Sequence, residues 1–223
     1  HRRPRHRDLF TKRPSGSSLS PEREIQTWSM TMSPNDPCRT SGSSPPFAVD
    51  ESKRHENDFY PTPAWCTEAL IPELPVDQFT TVWEPACGPG GMSEVLAKYY
   101  SVASTDLVDY GFGETGVNFL DATEARAPGI ITNPPYHLAE EFLRHAIKLT
   151  KPVEGCVAML LRNEYDSAKT RRDIFAQAPF AKKLVLTKRP MWFAEKKASP
   201  RHNYSWFIFN WRHQGPPVIT YSR

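Results

Sequence analysis

From Asp58 onward, short apolar segments alternate with segments of helical periodicity, and this alternation constrains the fold more than any other feature of the sequence. The apolar segments predict strands at 80–84, 101–107, 129–132, 156–161, 183–187 and 206–211. The segments between them predict helices at 62–70, 92–99, 138–149 and 168–178, the first with Thr62 as N-cap and Pro63 at the first helical position. Alternating strands and helices of these lengths predict a doubly wound α/β domain.

The first 57 residues differ from the rest of the chain. They hold ten serines and seven prolines and have neither helical nor strand periodicity. Such a composition buries too little apolar surface to offset the entropy of ordering, so we predict a disordered leader over 1–57 and a folded domain over 58–223. The basic residues of the leader could add weak nucleic-acid affinity, or the segment could be an extension without a function.

The charge of the predicted domain is divided along the chain. Residues 58–141 hold two basic and 13 acidic side chains, a net charge of −11, whereas residues 142–223 hold 16 basic and five acidic side chains, a net charge of +11. A basic half of this kind favours a polyanionic partner such as nucleic acid, although a solvated basic face would give the same count.

Cysteine spacing and hydropathy exclude several classes of protein. The four cysteines, Cys38, Cys66, Cys87 and Cys156, form no CxxC pair, so neither a disulfide framework nor a metal site is expected. The longest apolar stretch, 156–161, is too short to span a bilayer, and residues 2–44 lack the apolar run of a signal peptide. We therefore expect a cytoplasmic protein with no membrane partner.

Three motifs carry candidate chemistry, and each follows a predicted strand, where doubly wound sheets bind their ligands. The first is a glycine-rich loop formed by Glu84, Pro85, Ala86, Cys87, Gly88, Pro89 and Gly90. Glycines let the backbone approach a ligand, and the N-terminus of the following helix favours a negative group. The spacing matches neither the dinucleotide fingerprint nor a P-loop, and a tight turn without a ligand would look similar.

The other two motifs follow the next strands. Asp106, near the end of the strand 101–107, could accept hydrogen bonds from both ribose hydroxyls of a nucleoside, or could cap a turn. The tetrapeptide Asn133-Pro134-Pro135-Tyr136 follows the strand 129–132. The two prolines fix an extended turn without N–H groups, so the side-chain oxygen of Asn133 and the carbonyl of Pro134 could both accept bonds from one amino group. Tyr136 adds a flat surface for a planar base.

In this order, the Glu-Pro-Ala-x-Gly-x-Gly loop, the strand-end Asp and Asn-Pro-Pro-Tyr resemble the S-adenosylmethionine-dependent amino-methyltransferases, especially small phage and prophage DNA adenine-N6 methyltransferases. The segment 58–63, Asp-Phe-Tyr-Pro-Thr-Pro, is similar to the motif that precedes the glycine loop in that family. Arg189-Pro190 and the segment 203–207 are similar to the family's C-terminal part, so the resemblance covers about 58–211.

The resemblance implies a Rossmann-like class I methyltransferase fold, with a mostly parallel sheet and an antiparallel C-terminal strand. It implies S-adenosyl-L-methionine as the cofactor, a metal-free reaction and a bacterial or phage-encoded enzyme. The implied cofactor residues, besides the glycine loop and Asp106, are Tyr60, Thr62 and Pro63, with Thr62 at the methionine carboxylate, and Asn118 and Phe119. The family often has Asp where this chain has Asn118. Asn118 could accept a bond from the adenine amine without a charge, and Asp121 is an alternative acceptor.

The implied reaction is methylation of an exocyclic amine. By accepting both N–H bonds of the amine, Asn133 and Pro134 would draw its nitrogen toward sp³ geometry, and proximity to the cofactor would supply much of the rate. A base within a duplex cannot reach such a pocket and must be flipped out or single-stranded. Tyr136 would stack on one face of the base, and Trp192 or Phe193 could cover the other, unless they are core aromatics.

Basic residues of the second half could form a phosphate track made of Arg162, Lys169, Arg171, Arg172, Lys182, Lys183, Lys188, Arg189, Lys196, Lys197 and Arg201. The predicted substrate-binding residues are Arg162, Arg189, Trp192, Phe193, Arg201 and His202. About forty residues separate the glycine loop from Asn133, too few for an inserted recognition domain, so low sequence specificity or a short site is expected. Alternative substrates are an RNA base and a protein glutamine amide. Another alternative is a non-catalytic nucleic-acid-binding subunit. The oligomeric state stays open.

Overall fold

The computed structural model describes residues 61–75, 77–177, 179–192 and 202–223. The predicted leader, Tyr60, Phe193 and Arg201 lie outside these ranges. The α-helices within them are α1 (Ala64–Leu70), α2 (Gly91–Leu96), α3 (Ala139–Thr150) and α4 (Arg172–Gln177). The strands are β1 (Thr81–Glu84), β2 (Ser101–Ser104), β3 (Gly129–Thr132), β4 (Cys156–Arg162), β5 (Phe180–Val185), β6 (Tyr204–Asn210) and β7 (Val218–Tyr221).

The strands form one sheet in the order β2-β1-β3-β4-β6-β5-β7. The first four are parallel to one another, and β5 pairs in parallel with β7. Only β6, among the described strands, runs antiparallel, and it lies between β4 and β5. The prediction of a doubly wound, mostly parallel sheet with an antiparallel strand near the C-terminus is confirmed. From β1 the strand order runs to β2 on one side and, through β3, to β4 on the other side. Sheets of this kind bind ligands at such a switch point, which here lies between β1 and β3.

Both faces of the sheet are covered by apolar side chains, which explains the apolar runs of the central strands. In β4, Cys156, Ala158 and Leu160 pack into the core on the side of α1 and α2. The alternate residues 157, 159 and 161 pack into the core on the side of α3 and α4. Because successive strand residues point to opposite faces, a strand buried on both faces must be apolar at every position.

The element bounds differ from the predictions where tertiary contacts outweigh local pattern. Pro63, and not Thr62, is the N-cap of α1, and no side chain caps this helix. The strand predicted at 101–107 ends at Ser104, and the helix predicted at 168–178 consists of a 3₁₀ turn, Lys169–Arg171, followed by α4. β5 begins three residues before its predicted start because Phe180 pairs with Phe209 of β6.

β7 was absent from the sequence-based prediction. It lies at the edge of the sheet, and its residues Val218, Ile219 and Tyr221 are exposed. A strand that buries neither face has no alternation of apolar and polar residues, so its sequence carries no strand period.

Among the described residues, no helix is long and apolar enough to cross a membrane. Likewise, no group of three or more potential metal ligands comes together in the described ranges. Cys66, Cys87 and Cys156 are free thiols, and burial raises the pKa of each to about 12. They therefore behave as small core residues.

Replacing Trp206 with phenylalanine should destabilise the domain by about 2 kcal/mol, because it removes buried volume and a buried hydrogen bond. Trp206 is fully buried in β6, and its Nε1 donates to the carbonyl of Cys66 in α1 at 2.8 Å. Urea denaturation measures this loss. Trp211→Phe is the matched control, since Trp211 is only partly buried and its Nε1 bonds Thr150 at 3.2 Å. Equal losses in the two variants would contradict this account.

Candidate active site

A cleft of about 990 Å³ opens at the carboxyl ends of β1 and β3. It is lined by Thr62, by the loop that follows β1, by Asp106, by Asn118 and Phe119, and by Asn133. Three motifs that are far apart in sequence therefore share one cavity at the switch point of the sheet.

The glycine loop between β1 and α2 has a backbone that only glycine adopts readily. Gly88 has φ +51° and Gly90 has φ +91°. A Cβ on Gly90 would lie 2.6 Å from the ring of Phe112, which belongs to the loop after β2. A Cβ on Gly91 would meet the carbonyl oxygen of Thr62 at 3.4 Å. The loop is thus packed between two other segments. Gly90 is required by close approach as well as by conformation, whereas Gly88 is favoured by its conformation.

Asp106 ties the glycine loop to the end of β2. Its Oδ2 accepts a hydrogen bond from the backbone N–H of Gly88 at 2.8 Å, and its Oδ1 accepts one from Val108 at 2.9 Å. Asp106 is buried and lines the cleft. An ionised carboxylate has about four acceptor positions, so these two bonds leave capacity for a ligand hydroxyl on the cleft side. Both sequence interpretations, the turn cap and the ligand acceptor, are compatible with this geometry.

Asn133 follows β3, and its orientation is set by the segment that precedes α1. Its Nδ2 donates to Oγ1 of Thr62 at 3.1 Å. Because the amide nitrogen is directed to Thr62, the amide oxygen lies on the opposite branch of the side chain as the acceptor. The hydroxyl of Thr62, predicted to cap a helix and to hold a cofactor carboxylate, therefore also positions the side chain of Asn133.

Asn118 lines the cleft, but its side chain is used within its own turn. Its Oδ1 accepts from the N–H of Leu120 at 3.2 Å, and its Nδ2 donates to Asp121 at 2.9 Å. This arrangement caps the 3₁₀ helix Phe119–Asp121. Asp121 does not line the cleft, so of the two predicted acceptors only Asn118 borders it.

Glu84 is a buried carboxyl group at the floor of the cleft, only 2% exposed. Ser93 of α2 donates to its Oε2, and the Ser93 hydroxyl also lies 2.6 Å from that of Ser104 in β2. Burial, opposed by the Ser93 bonds and assisted by the nearby charge of Asp106, raises the pKa of Glu84 to about 8. Glu84 therefore holds its proton up to neutral pH.

This pKa predicts how stability depends on pH. The folded protein binds the Glu84 proton more tightly than the unfolded chain does, so this contribution is complete below about pH 4.5 and is lost as pH rises to about 8. Within that window, the slope from one group approaches about 1.4 kcal/mol per pH unit. Glu84→Gln mimics the protonated form and should remove this slope. Urea denaturation from pH 5 to 9, with the exposed Glu94→Gln as control, tests it, and an unchanged slope in Glu84→Gln would refute it.

The aromatic residues predicted to sandwich a base lie together at one side of the Asn133–Tyr136 turn. The centroids of Tyr136 and Trp192 are 6.3 Å apart with an interplanar angle of 66°, and Tyr204 lies 5.9 Å from Tyr136. Trp192 meets Tyr204 edge-on at 4.9 Å. Tyr136 and Trp192 pack against the core, so their rings are adjacent but do not form a parallel slot.

Two lysines of the predicted phosphate track make ion pairs within the domain. Lys182 pairs with Glu73 at 2.8 Å, and Lys183 pairs with Asp166 at 2.8 Å. Arg189 donates to Asn203 at 2.8 Å, and neither Arg162 nor His202 lines the cleft. Lys196 and Lys197 lie outside the described residues.

Several residues that the sequence did not single out also line the cleft. Leu107, 60% exposed, follows Asp106, and Tyr110 comes from the same loop. His137, Leu138 and Phe142 come from the turn and helix after the tetrapeptide. An apolar residue directly after a strand-end Asp could have indicated a ligand surface, whereas Phe142 has the helical spacing of an ordinary core residue.

The fold is the Rossmann-like fold of methyltransferases. It is similar to a proposed RNA methyltransferase from Pyrococcus horikoshii, with a TM-score of 0.54 and 16% identity over 69% of this chain and 87% of that chain. It is also similar to the methyltransferase subunit of a type I restriction–modification system from Streptococcus thermophilus, with a TM-score of 0.51 and 12% identity over 71% of this chain. That match spans 45% of the subunit's length. No protein-family model and no curated protein matches the sequence.

Proposed function

We propose that this protein transfers a methyl group from S-adenosyl-L-methionine to an exocyclic amine, with adenine N6 in DNA as the preferred acceptor. The observation that carries the proposal is the convergence of the glycine loop, Asp106 and an oriented Asn133 on one cleft. Each of these features has a use in this reaction, and their resemblance to the amino-methyltransferase motifs supports the same assignment.

The chemistry of the cleft fits the cofactor. The glycine loop brings backbone groups to its wall, Asp106 provides acceptor capacity for ribose hydroxyls, and Leu107 and Phe119 supply apolar surface for an adenine ring. Asp106 brings an acidic side chain to the site, which suits a cationic ligand. When bound, S-adenosyl-L-methionine supplies an electrophilic methyl group on a sulfonium.

The chain's own residues would prepare the acceptor amine. Asn133 Oδ1 and the Pro134 carbonyl would accept the two N–H bonds and thereby make the nitrogen lone pair available for attack. Thr62 would hold the Asn133 amide in the required orientation through the Nδ2 bond. Preorganised hydrogen-bonding groups of this kind lower a barrier because they need no reorganisation during the reaction.

The choice of DNA adenine over RNA or a glutamine amide rests on sequence resemblance. The tetrapeptide resembles that of adenine-N6 enzymes, and the glycine loop differs from the one typical of glutamine-amide enzymes. One of the two similar structures is described as an RNA methyltransferase, so RNA is the second candidate.

Incubation with tritiated S-adenosyl-L-methionine and DNA, RNA or protein extract, followed by nucleoside and amino-acid mass spectrometry, tests the proposal. Label in N6-methyladenine of DNA is the expected result. Label confined to RNA or to glutamine would overturn the DNA assignment. Calorimetric titration with the cofactor tests the alternative of a non-catalytic binding subunit, because such a subunit would give no binding heat.

A further inference from the structure

A second cleft, of about 770 Å³, lies beside the Asn133–Tyr136 turn and has no role in the function proposed above. One wall is the first turn of α3, with Glu140 and Glu141, and the other wall holds Tyr165 and Arg171 from the 3₁₀ turns after β4. Tyr136 and His137 also border it, and His137 lines the first cleft as well. The second cleft is therefore next to the place where the methyl acceptor would lie.

Tyr165 and Arg171 form a stacked pair in this cleft. The guanidinium carbon of Arg171 lies 3.9 Å from the centre of the Tyr165 ring. The ring of Tyr165 is in turn held by Phe175 and Phe207, at centroid distances of 6.4 and 6.2 Å. A guanidinium fixed on an aromatic face in this way is preorganised to present its donors in its own plane.

The pair presents a hydrogen-bond donor without an acceptor. Arg171 Nε is buried and has no acceptor among the described residues. The hydroxyl of Tyr165 is also buried, which raises its pKa, and its contact with the Arg171 guanidinium opposes that shift. A buried donor without an acceptor is unfavourable, so Arg171 Nε beside this cleft favours a ligand that accepts a hydrogen bond.

The charges around the cleft identify Arg171 as the available cation. Arg144, which also lines the cleft, is bound to Glu140 at 2.9 Å and to Asp173 at 2.6 Å. Arg171 makes no ion pair within the part of the chain that the structure describes. Arg144 is shared between Glu140 and Asp173, and Glu141 is a further acidic side chain at the cleft, so Arg171 is the cation that remains for an anionic ligand.

We propose that this second cleft binds a backbone phosphate of the nucleic-acid strand next to the methyl-acceptor nucleotide. Arg171 would donate through Nε and a terminal nitrogen, in the planar fork that matches two phosphate oxygens, and Tyr165 Oη would donate to the same group. The inference rests on the proposed function, since it assumes a nucleic-acid substrate. It adds an anchor that fixes the strand beside Tyr136.

The test measures binding of a fluorescein-labelled single-stranded oligodeoxynucleotide by anisotropy over a range of salt concentrations, without cofactor. Arg171→Ala should weaken binding about tenfold and reduce the salt slope by about 0.7, the value for one contact on a single strand. Tyr165→Phe removes only the hydroxyl and should weaken binding severalfold with an unchanged slope. Arg223→Ala makes the same charge change at an exposed residue outside the predicted phosphate track and is the matched control.

Two results would overturn the proposal: equal effects of Arg171→Ala and Arg223→Ala, or full binding by Tyr165→Phe. An oligonucleotide with neutral methylphosphonate linkages provides a further arm. On that probe Arg171→Ala should have little additional effect, and a tenfold effect there would assign Arg171 to a base contact instead. Arg171→Lys keeps the charge but loses the fork, and it should bind at an intermediate level even if Arg171→Ala folds poorly.

Calorimetry with S-adenosyl-L-methionine separates this proposal from the proposed function. Tyr165→Phe and Arg171→Ala should bind the cofactor like the unmodified protein, since neither residue lines the first cleft. Absence of cofactor binding in the unmodified protein would refute the methyltransferase proposal, whereas the oligonucleotide measurements would still decide on the phosphate site.

Discussion

Replacing Asn133 with alanine should lower the rate of methyl transfer about a hundredfold to a thousandfold, the usual effect of removing one preorganised hydrogen-bonding group from a reaction centre. The side chain lies at the end of β3, where Thr62 fixes its orientation through a 3.1 Å bond. Cofactor affinity, measured by calorimetry, should change much less than the rate. Single-turnover transfer of tritium to a saturating nucleic-acid substrate measures the chemical step directly.

Asn133→Asp distinguishes the acceptor role from a packing role. The carboxylate keeps an oxygen acceptor of the same size, so we expect a rate between those of the unmodified protein and the alanine variant. Asn210→Ala is the control. Asn210 pairs with Cys156 at the start of β4, the end of the strands opposite to Asn133, and its loss should leave the rate unchanged. Full activity of Asn133→Ala would refute the assigned mechanism.

Gly90→Ala should remove most cofactor binding. The backbone at Gly90 has φ +91°, and the new Cβ would lie 2.6 Å from Phe112, so either the glycine loop or the loop after β2 must move. A left-handed conformation costs a non-glycine residue about 1–2 kcal/mol, and the overlap adds to that cost. We expect at least about a tenfold loss of affinity in calorimetry, which corresponds to 1.4 kcal/mol, and a lower thermal midpoint.

Two further variants separate the causes. Gly111 has φ +79°, but a Cβ there would meet no atom within 4 Å, so Gly111→Ala carries the conformational cost without the overlap. It should lose less affinity than Gly90→Ala. In the double variant Gly90→Ala/Phe112→Ala the overlap is absent, and affinity should recover partly. If the double variant binds no better than Gly90→Ala, the packing of Phe112 on the loop is not the cause.

The sequence predicted that the three motifs lie together, because each of them follows a strand. A parallel sheet collects the carboxyl ends of its strands at one edge, so motifs after β1, β2 and β3 had to meet there. β3 was predicted with its observed bounds, since all four of its residues are buried. No strand order was predicted, and the antiparallel direction of a C-terminal strand came from the family resemblance and not from periodicity.

The remaining details depend on contacts between distant residues. The bond between Thr62 and Asn133 spans 71 positions, and no local pattern indicates it. The 3₁₀ turns that carry Tyr165 and Arg171 have no periodicity, so their stacking could not be predicted. The sequence shows the positive charge of the second half, but it does not show which basic side chains are paired. Lys182 and Lys183 make ion pairs within the domain, and only the fold identifies their partners.

The place of β6 in the sheet has a consequence for the order of folding. β6 pairs with β4 on one side and with β5 on the other, although both precede it in the chain. During synthesis, β4 and β5 leave the ribosome before β6. The side of each strand that pairs with β6 therefore stays unpaired until residues 204–210 follow. The middle of the sheet thus closes late through long-range contacts, which are slow to form. Until then, the unpaired side of β4 and both sides of β5 are open to wrong pairing and aggregation.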